Sequence, residues 1–182
     1  MYKKITGTPS TIKFFYNRNT IFDEVSLMSN YMAKNLATTD GNSLTDEYAI
    51  SDDEEDLVKV SIRATLPDIY EAMTKITSEV SSAFDDDVQE SAGPDEKGTA
   101  YPSGHYIEFI IKDNTAYNNN VLSIVDASLE NCIKFGTLKE VYSALPQPEF
   151  FNSCSARFVG ELFKLKQRLF QLKKKSVVTN LT

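Results

Sequence analysis

Residue types that commonly carry chemistry are scarce in this sequence. It holds one histidine, His105, and two cysteines, Cys132 and Cys154, too few for a disulfide framework or a zinc set. A nucleophilic thiol or hydroxyl needs a base within reach and a third group to orient that base. Neither cysteine and no serine lies in a nucleophile motif, and Cys132 falls on an apolar stripe, where it reads as a small core residue. His105 stands beside Gly104 at the start of a strand, a position for a polar structural role. The glycines occur singly, so no phosphate-cradling or dinucleotide loop is present. Carboxylates are plentiful. Asp85, Asp86 and Asp87 would hold a hard cation only weakly. The run Asp52, Asp53, Glu54, Glu55, Asp56 has a structural explanation: Ser51 and Glu54 have the spacing of a capping box, and the acids sit on the positive end of the helix dipole. These readings predict no catalytic residue, no metal and no cofactor.

With 182 residues, of which 41% are hydrophobic and 25% charged, the chain is suited to one globular domain with a sizeable core. Its net charge of -7 and pI near 4.8 argue against a surface built throughout to coat nucleic acid. The charge is unevenly spread. Residues 40–96 carry 17 acidic side chains against Lys59, Arg63 and Lys75, a sum of -14. Residues 157–175 carry Arg157, Lys164, Lys166, Arg168, Lys173, Lys174 and Lys175 against Glu161, a sum of +6. Such runs serve as solvated helix faces. They also suit an acidic surface on one copy meeting a basic surface on another, or a basic end on a phosphate backbone. No stretch approaches the roughly 18–20 apolar residues of a membrane span. The N-terminus lacks the apolar core of a signal peptide. Synthesis in the cytoplasm and no membrane contact are expected.

Four helices must position these residues. Ile21, Val25, Met28, Met32 and Leu36 predict a helix over 21–37 with Thr20 as its N-cap. A second helix opens at Ser51 and runs over 53–84 through Leu57, Val60, Ala64, Tyr70, Met73, Ile76, Val80 and Phe84, bent or divided near Thr65 by Pro67. A third, over 118–144, has an apolar stripe too wide for one partner and is expected at the centre. The fourth, over 149–174, starts near Pro148. It carries Phe158, Leu162, Leu165, Leu169 and Leu172 at spacings of 4, 3, 4 and 3, a coiled-coil type seam flanked by Phe163 and Phe170. Residues 85–104 read as an acidic loop. Strand patterns occur at 11–16 and 106–112. The expected fold is mainly α: a bundle of about four helices with a small two-stranded β ribbon and an extended C-terminal helix. It comprises an N-terminal arm or strand (1–19), a helical domain (20–175) and a tail (176–182). The ribbon must pack on helices or gain strands from a neighbouring copy.

The order of elements adds a resemblance. An amphipathic helix, then SDDEEDLVKVSIRATLPDIYEAM, a loop and ribbon, NNNVLSIVDASLENCIKFGTLKEVYSAL, and a terminal FFNSCSARFVGELFKLKQRLFQLKKK resemble the small helical head-tail connector (adaptor) proteins of tailed bacteriophages. The versions in crAss-like and related phages of Bacteroides-type hosts are the most similar. The resemblance spans about residues 20–175. Pro67 and the long 85–104 loop depart from the compact connectors. The resemblance implies a homo-oligomeric ring, commonly of twelve copies, seated on the portal protein and joined to tail or neck proteins. DNA passes through its lumen without sequence specificity. Localisation is then the virion neck, with the host cytoplasm during assembly. Interface residues expected on this reading are Phe150, Phe151, Phe163, Phe170, Lys164, Lys166 and Arg168 on the last helix and Asp52, Asp53, Glu54 and Glu55 on the second. Lys173, Lys174 and Lys175 are the candidates to face DNA. The alternative is a non-enzymatic cytoplasmic helical protein that uses its basic C-terminal helix to bind nucleic acid or a partner.

Overall fold

A computed structural model describes residues 2–5, 10–34, 48–74, 79–84, 106–113, 118–145 and 147–173. Among these lie four strands, β1 (Tyr2–Ile5), β2 (Ser10–Asn17), β3 (Glu79–Phe84) and β4 (Tyr106–Asp113). Four α-helices accompany them: α1 (Arg18–Ala33), α2 (Glu55–Thr74), α3 (Leu122–Ala144) and α4 (Pro148–Lys173). The helices dominate, as the apolar spacing predicts.

The strands expected to form the ribbon do pair, antiparallel, with Ile12 opposite Ile111, Phe14 opposite Phe109 and Tyr16 opposite Ile107. They are the middle of a four-stranded sheet in the order β1-β2-β4-β3, not an isolated pair. The extra strands come from this same chain, so no neighbouring copy is needed to complete the ribbon. The six paired side chains are almost fully buried. On the opposite face Phe15 meets Tyr106 edge-on and Lys13 pairs with Glu108 at 3.1 Å. The Tyr16 hydroxyl crosses to α3, donating to the Asp126 carboxylate at 2.8 Å.

Strand β3 corrects the second helix, which ends at Thr74 instead of reaching residue 84. The four-residue spacing of Ile76, Val80 and Phe84 imitates a helical stripe. The edge of β4 decides the matter by offering ladder partners in register, Val80 to Ile111 and Phe84 to Ile107. Pro67 neither ends nor divides α2. Pro67 and Arg63, four residues before it, are both exposed, so the carbonyl deprived of its partner lies on the water side. The first helix begins one turn earlier than expected. Asn17 caps it, its side chain accepting from the backbone N–H groups of Asn19 and Thr20, and the helix ends at Ala33. A single 3-10 turn, Asp52–Glu54, leads into α2, and the capping box forms. Glu54 accepts from the Ser51 backbone N–H at 2.6 Å and from its hydroxyl at 3.0 Å.

Helix α3 is the hub. It packs against α1, α2, α4 and β1, and Val125, Leu129, Cys132, Ile133, Leu138 and Val141 are fully buried along it. Gly136 makes the closest crossing. A Cβ there would overlap the Thr65 methyl and approach the Phe158 ring, so only glycine lets the three helices meet. Proline 148 opens α4 in the first turn, where its missing N–H costs nothing. The predicted seam faces inward: Phe158, Leu165, Leu169 and Leu172 are buried and Leu162 packs partly against them.

Candidate interaction surface

The residues expected at an interface divide sharply once placed. Phe150 is not available: it is buried, its ring edge-on to Tyr142 at a centroid distance of 5.0 Å. Phe151 packs partly against the core. Phe163 and Phe170 are 62% and 59% exposed, on the side of α4 opposite its seam. Lys164 is exposed and pairs with Glu161 at 2.6 Å, and Lys166 is half-buried. Arg168 is committed within the chain, donating to the Ser128 hydroxyl and to the Ile124 carbonyl of α3, the latter at 3.2 Å. Arg157, also in the basic run, lies over the Phe135 ring at 5.5 Å.

At the head of α2, Asp52 and Asp53 are exposed, whereas Glu54 is spent on the capping box and Glu55 lies 3.7 Å from Arg18. Lys173 is the last residue of α4. Lys174, Lys175, His105 and the Asp85–Asp87 triplet lie outside the described residues. The structure thus leaves Phe163, Phe170 and Lys164 exposed on α4 and Asp52 and Asp53 exposed at the head of α2. It withdraws Phe150 and Arg168 from both.

Sequence reasoning missed Val159 and Val60, which are 62% and 61% exposed. Val159, Phe163 and Phe170 recur at spacings of 4 and 7, one line along a helix, and the signal was present beside the inward seam. Val60 with Ala64 and Pro67 has the same property on the outer side of α2, where all three are exposed. In the sequence Val60 continues the apolar series from Leu57, and nothing local marks it as facing outward. A shallow groove of about 280 Å³ between α1, α3 and α4 is lined by Met28, Tyr31, Met32, Phe135, Cys154 and Arg157.

Burial and hydrogen bonding shift several of the buried titratable groups. Burial pushes both thiols up, Cys132 strongly and Cys154 to about 11, the reverse of what a nucleophile needs. Burial raises Tyr16 and Tyr142 as well, and the Asp126 carboxylate adds to the effect on Tyr16. At Lys134 burial works against the charge. Hydrogen bonds with Glu130 and Glu24, at 2.8 and 2.7 Å, outweigh it and hold the ammonium above its ordinary value. Among the described residues no cluster of His, Cys, Asp or Glu has the makings of a metal site, and no helix is long and apolar enough to cross a membrane. No family model matches the chain, and comparison with curated proteins and with solved structures found no match.

Proposed function

We propose that this chain is a structural subunit that acts by self-assembly: one copy in the ring of a phage head-tail connector, set between portal and tail, with DNA passing through the lumen. The observation that carries the assembly part is the outward stripe Val159, Phe163 and Phe170, three large apolar side chains each about 60% exposed on the helix face turned away from a complete core. Exposing apolar area in a line is unfavourable unless something covers it. The ring and its place in the virion rest on the resemblance in element order. The raised thiols and the absence of nucleophile and phosphate motifs support a non-enzymatic role.

The alternative, a helical protein that binds nucleic acid or a partner through its basic C-terminal helix, draws less support from the described part of that run. Arg157, Lys164 and Arg168 are each engaged with groups of their own chain, whereas a phosphate-tracking strip presents its cations free to water. Mass photometry of the chain, alone and with the portal and neck proteins encoded beside it, tests the reading. A closed particle of fixed copy number is expected. A chain that stays monomeric with those partners present overturns it.

A further inference from the structure

We infer that the α4 stripe of one copy docks on the outer face of α2 of the next copy, in antiparallel register, with Phe163 opposite Val60. This rests on the self-assembly reading above and deepens it by naming the two faces. The outer line of α2 is small and apolar, Val60, Ala64 and Pro67, and that of α4 is bulky, Val159, Phe163 and Phe170. The bulky Val159 and Phe163 fit a line of small residues. Two bulky lines facing one another would collide and leave gaps.

Charge selects the same partner and the direction. Lys166 borders the α4 stripe, and pairing α4 with α4 offers it no acid: centred on Phe163 it faces Gly160 when antiparallel and Lys166 when parallel. The head of α2 instead exposes Asp52, Asp53 and Asp56. With Phe163 on Val60, the antiparallel arrangement brings Lys166 beside Asp56 and Val159 beside Ala64, and carries Phe170 to the level of Asp53 at the helix head. The parallel one carries Lys166 away from the acidic head of α2, to the level of Arg63. Gly160 borders the stripe, and a Cβ there meets nothing within 4 Å in the chain itself, so its small size serves no contact inside the fold. A neighbouring backbone close to α4 supplies a reason for it. Two different faces make the contact head-to-tail, the type that propagates from copy to copy and closes when the rotation allows.

Thiol cross-linking tests the pairing with intact full-length chains. Val60→Cys and Phe163→Cys replace exposed side chains, while Cys132 and Cys154 are buried and do not react with a short bis-maleimide. Mixing the two variants is expected to give a covalent dimer that neither gives alone. Adding Asp56→Lys to the first variant lowers the yield several-fold, and adding Lys166→Glu to the second restores it. Phe163→Cys cross-linking to itself as readily as to Val60→Cys overturns the inference, as does a mixed yield no higher than random collision gives. A chain carrying both Val60→Cys and Phe163→Cys separates this from the ring reading. A ladder without a terminal size keeps the pairing and sinks the ring, whereas particles of fixed size without the Val60–Phe163 link keep the ring and sink the pairing.

Discussion

Gly136 shows how much one residue decides in this fold. It sits where α3 crosses both α2 and α4, with the Thr65 side chain and the Phe158 ring where a Cβ would go. Thr65 cannot move aside freely, because it is fully buried and its hydroxyl donates to the Ser61 carbonyl at 3.0 Å. Gly136→Ala is therefore expected to destabilise by about 1–3 kcal/mol through overpacking, read as a lower midpoint in thermal melting. Gly160→Ala has the opposite sign. With open space around the new methyl, the gain in helix propensity is about 0.5–1 kcal/mol and the melting midpoint rises. From sequence the two glycines look alike, each a single glycine in a helical pattern, because what distinguishes them is the neighbouring helix. Cys154 gives a pH prediction at the same scale. Its thiol is raised from an ordinary 9.0 to about 11 by burial. A raised value in the folded state means the native chain holds its proton longer than the unfolded one. The contribution is whole below pH 9.0 and is lost as pH rises toward 11. Stability should fall across that window in urea titrations, and Cys154→Ala should flatten part of the fall.

At the scale of elements, legibility tracked whether one segment's own spacing was enough. The C-terminal end of α3 and both ends of α4 came out within a residue of expectation, since an apolar stripe bounded by Pro146 and Pro148 needs no further information, whereas α3 starts at Leu122, after a 3-10 turn and four residues later than expected. The end of α2 was not legible: residues 79–84 fit either period, and the free edge of β4 chose the strand. The capping box was legible because it is local, and the availability of Phe150 was not, because it depends on how α4 folds back against Tyr142 in the last turn of α3. The same distinction separates the basic residues of α4. Lys164→Glu with Lys166→Glu changes only side chains at the surface or its edge, so the melting midpoint is expected to hold within what about 0.5 kcal/mol would shift, while assembly weakens. Arg168→Glu removes a donor to the Ser128 hydroxyl and the Ile124 carbonyl and sets a carboxylate against both. It should destabilise the monomer itself by about 1–3 kcal/mol, so a triple reversal mixes folding with assembly. Parallel melts and mass photometry of the two variants check this.

Over the whole molecule, the two faces of α4 do separate work, and the difference is measurable. Its inward seam is part of the core: Leu165, Leu169 and Leu172 are completely shielded from water. Leu165→Ala should cost about 2–5 kcal/mol in monomer stability, the usual range for emptying such a site. The outward stripe contributes little to the monomer, since Phe163 and Phe170 keep about 60% of their surface in water when the chain is folded. Replacing both by aspartate removes exposed apolar area without opening a cavity, so the monomer's melting midpoint should change little and its solubility should rise. Particle formation, with or without portal protein, should be lost, because the residues that supply most of an interface's affinity are its central aromatic anchors. High salt should then act differently on the two contributions. It screens the lysine and aspartate flanks and slows association, but leaves affinity that comes from apolar burial largely in place. If Phe163→Asp with Phe170→Asp lowers the melting midpoint as far as Leu165→Ala does, the stripe belongs to the fold of the single chain. If instead the double variant melts like the parent and no longer assembles, the stripe is an interface, and its exposure in the single chain is the cost of keeping that surface free for a partner.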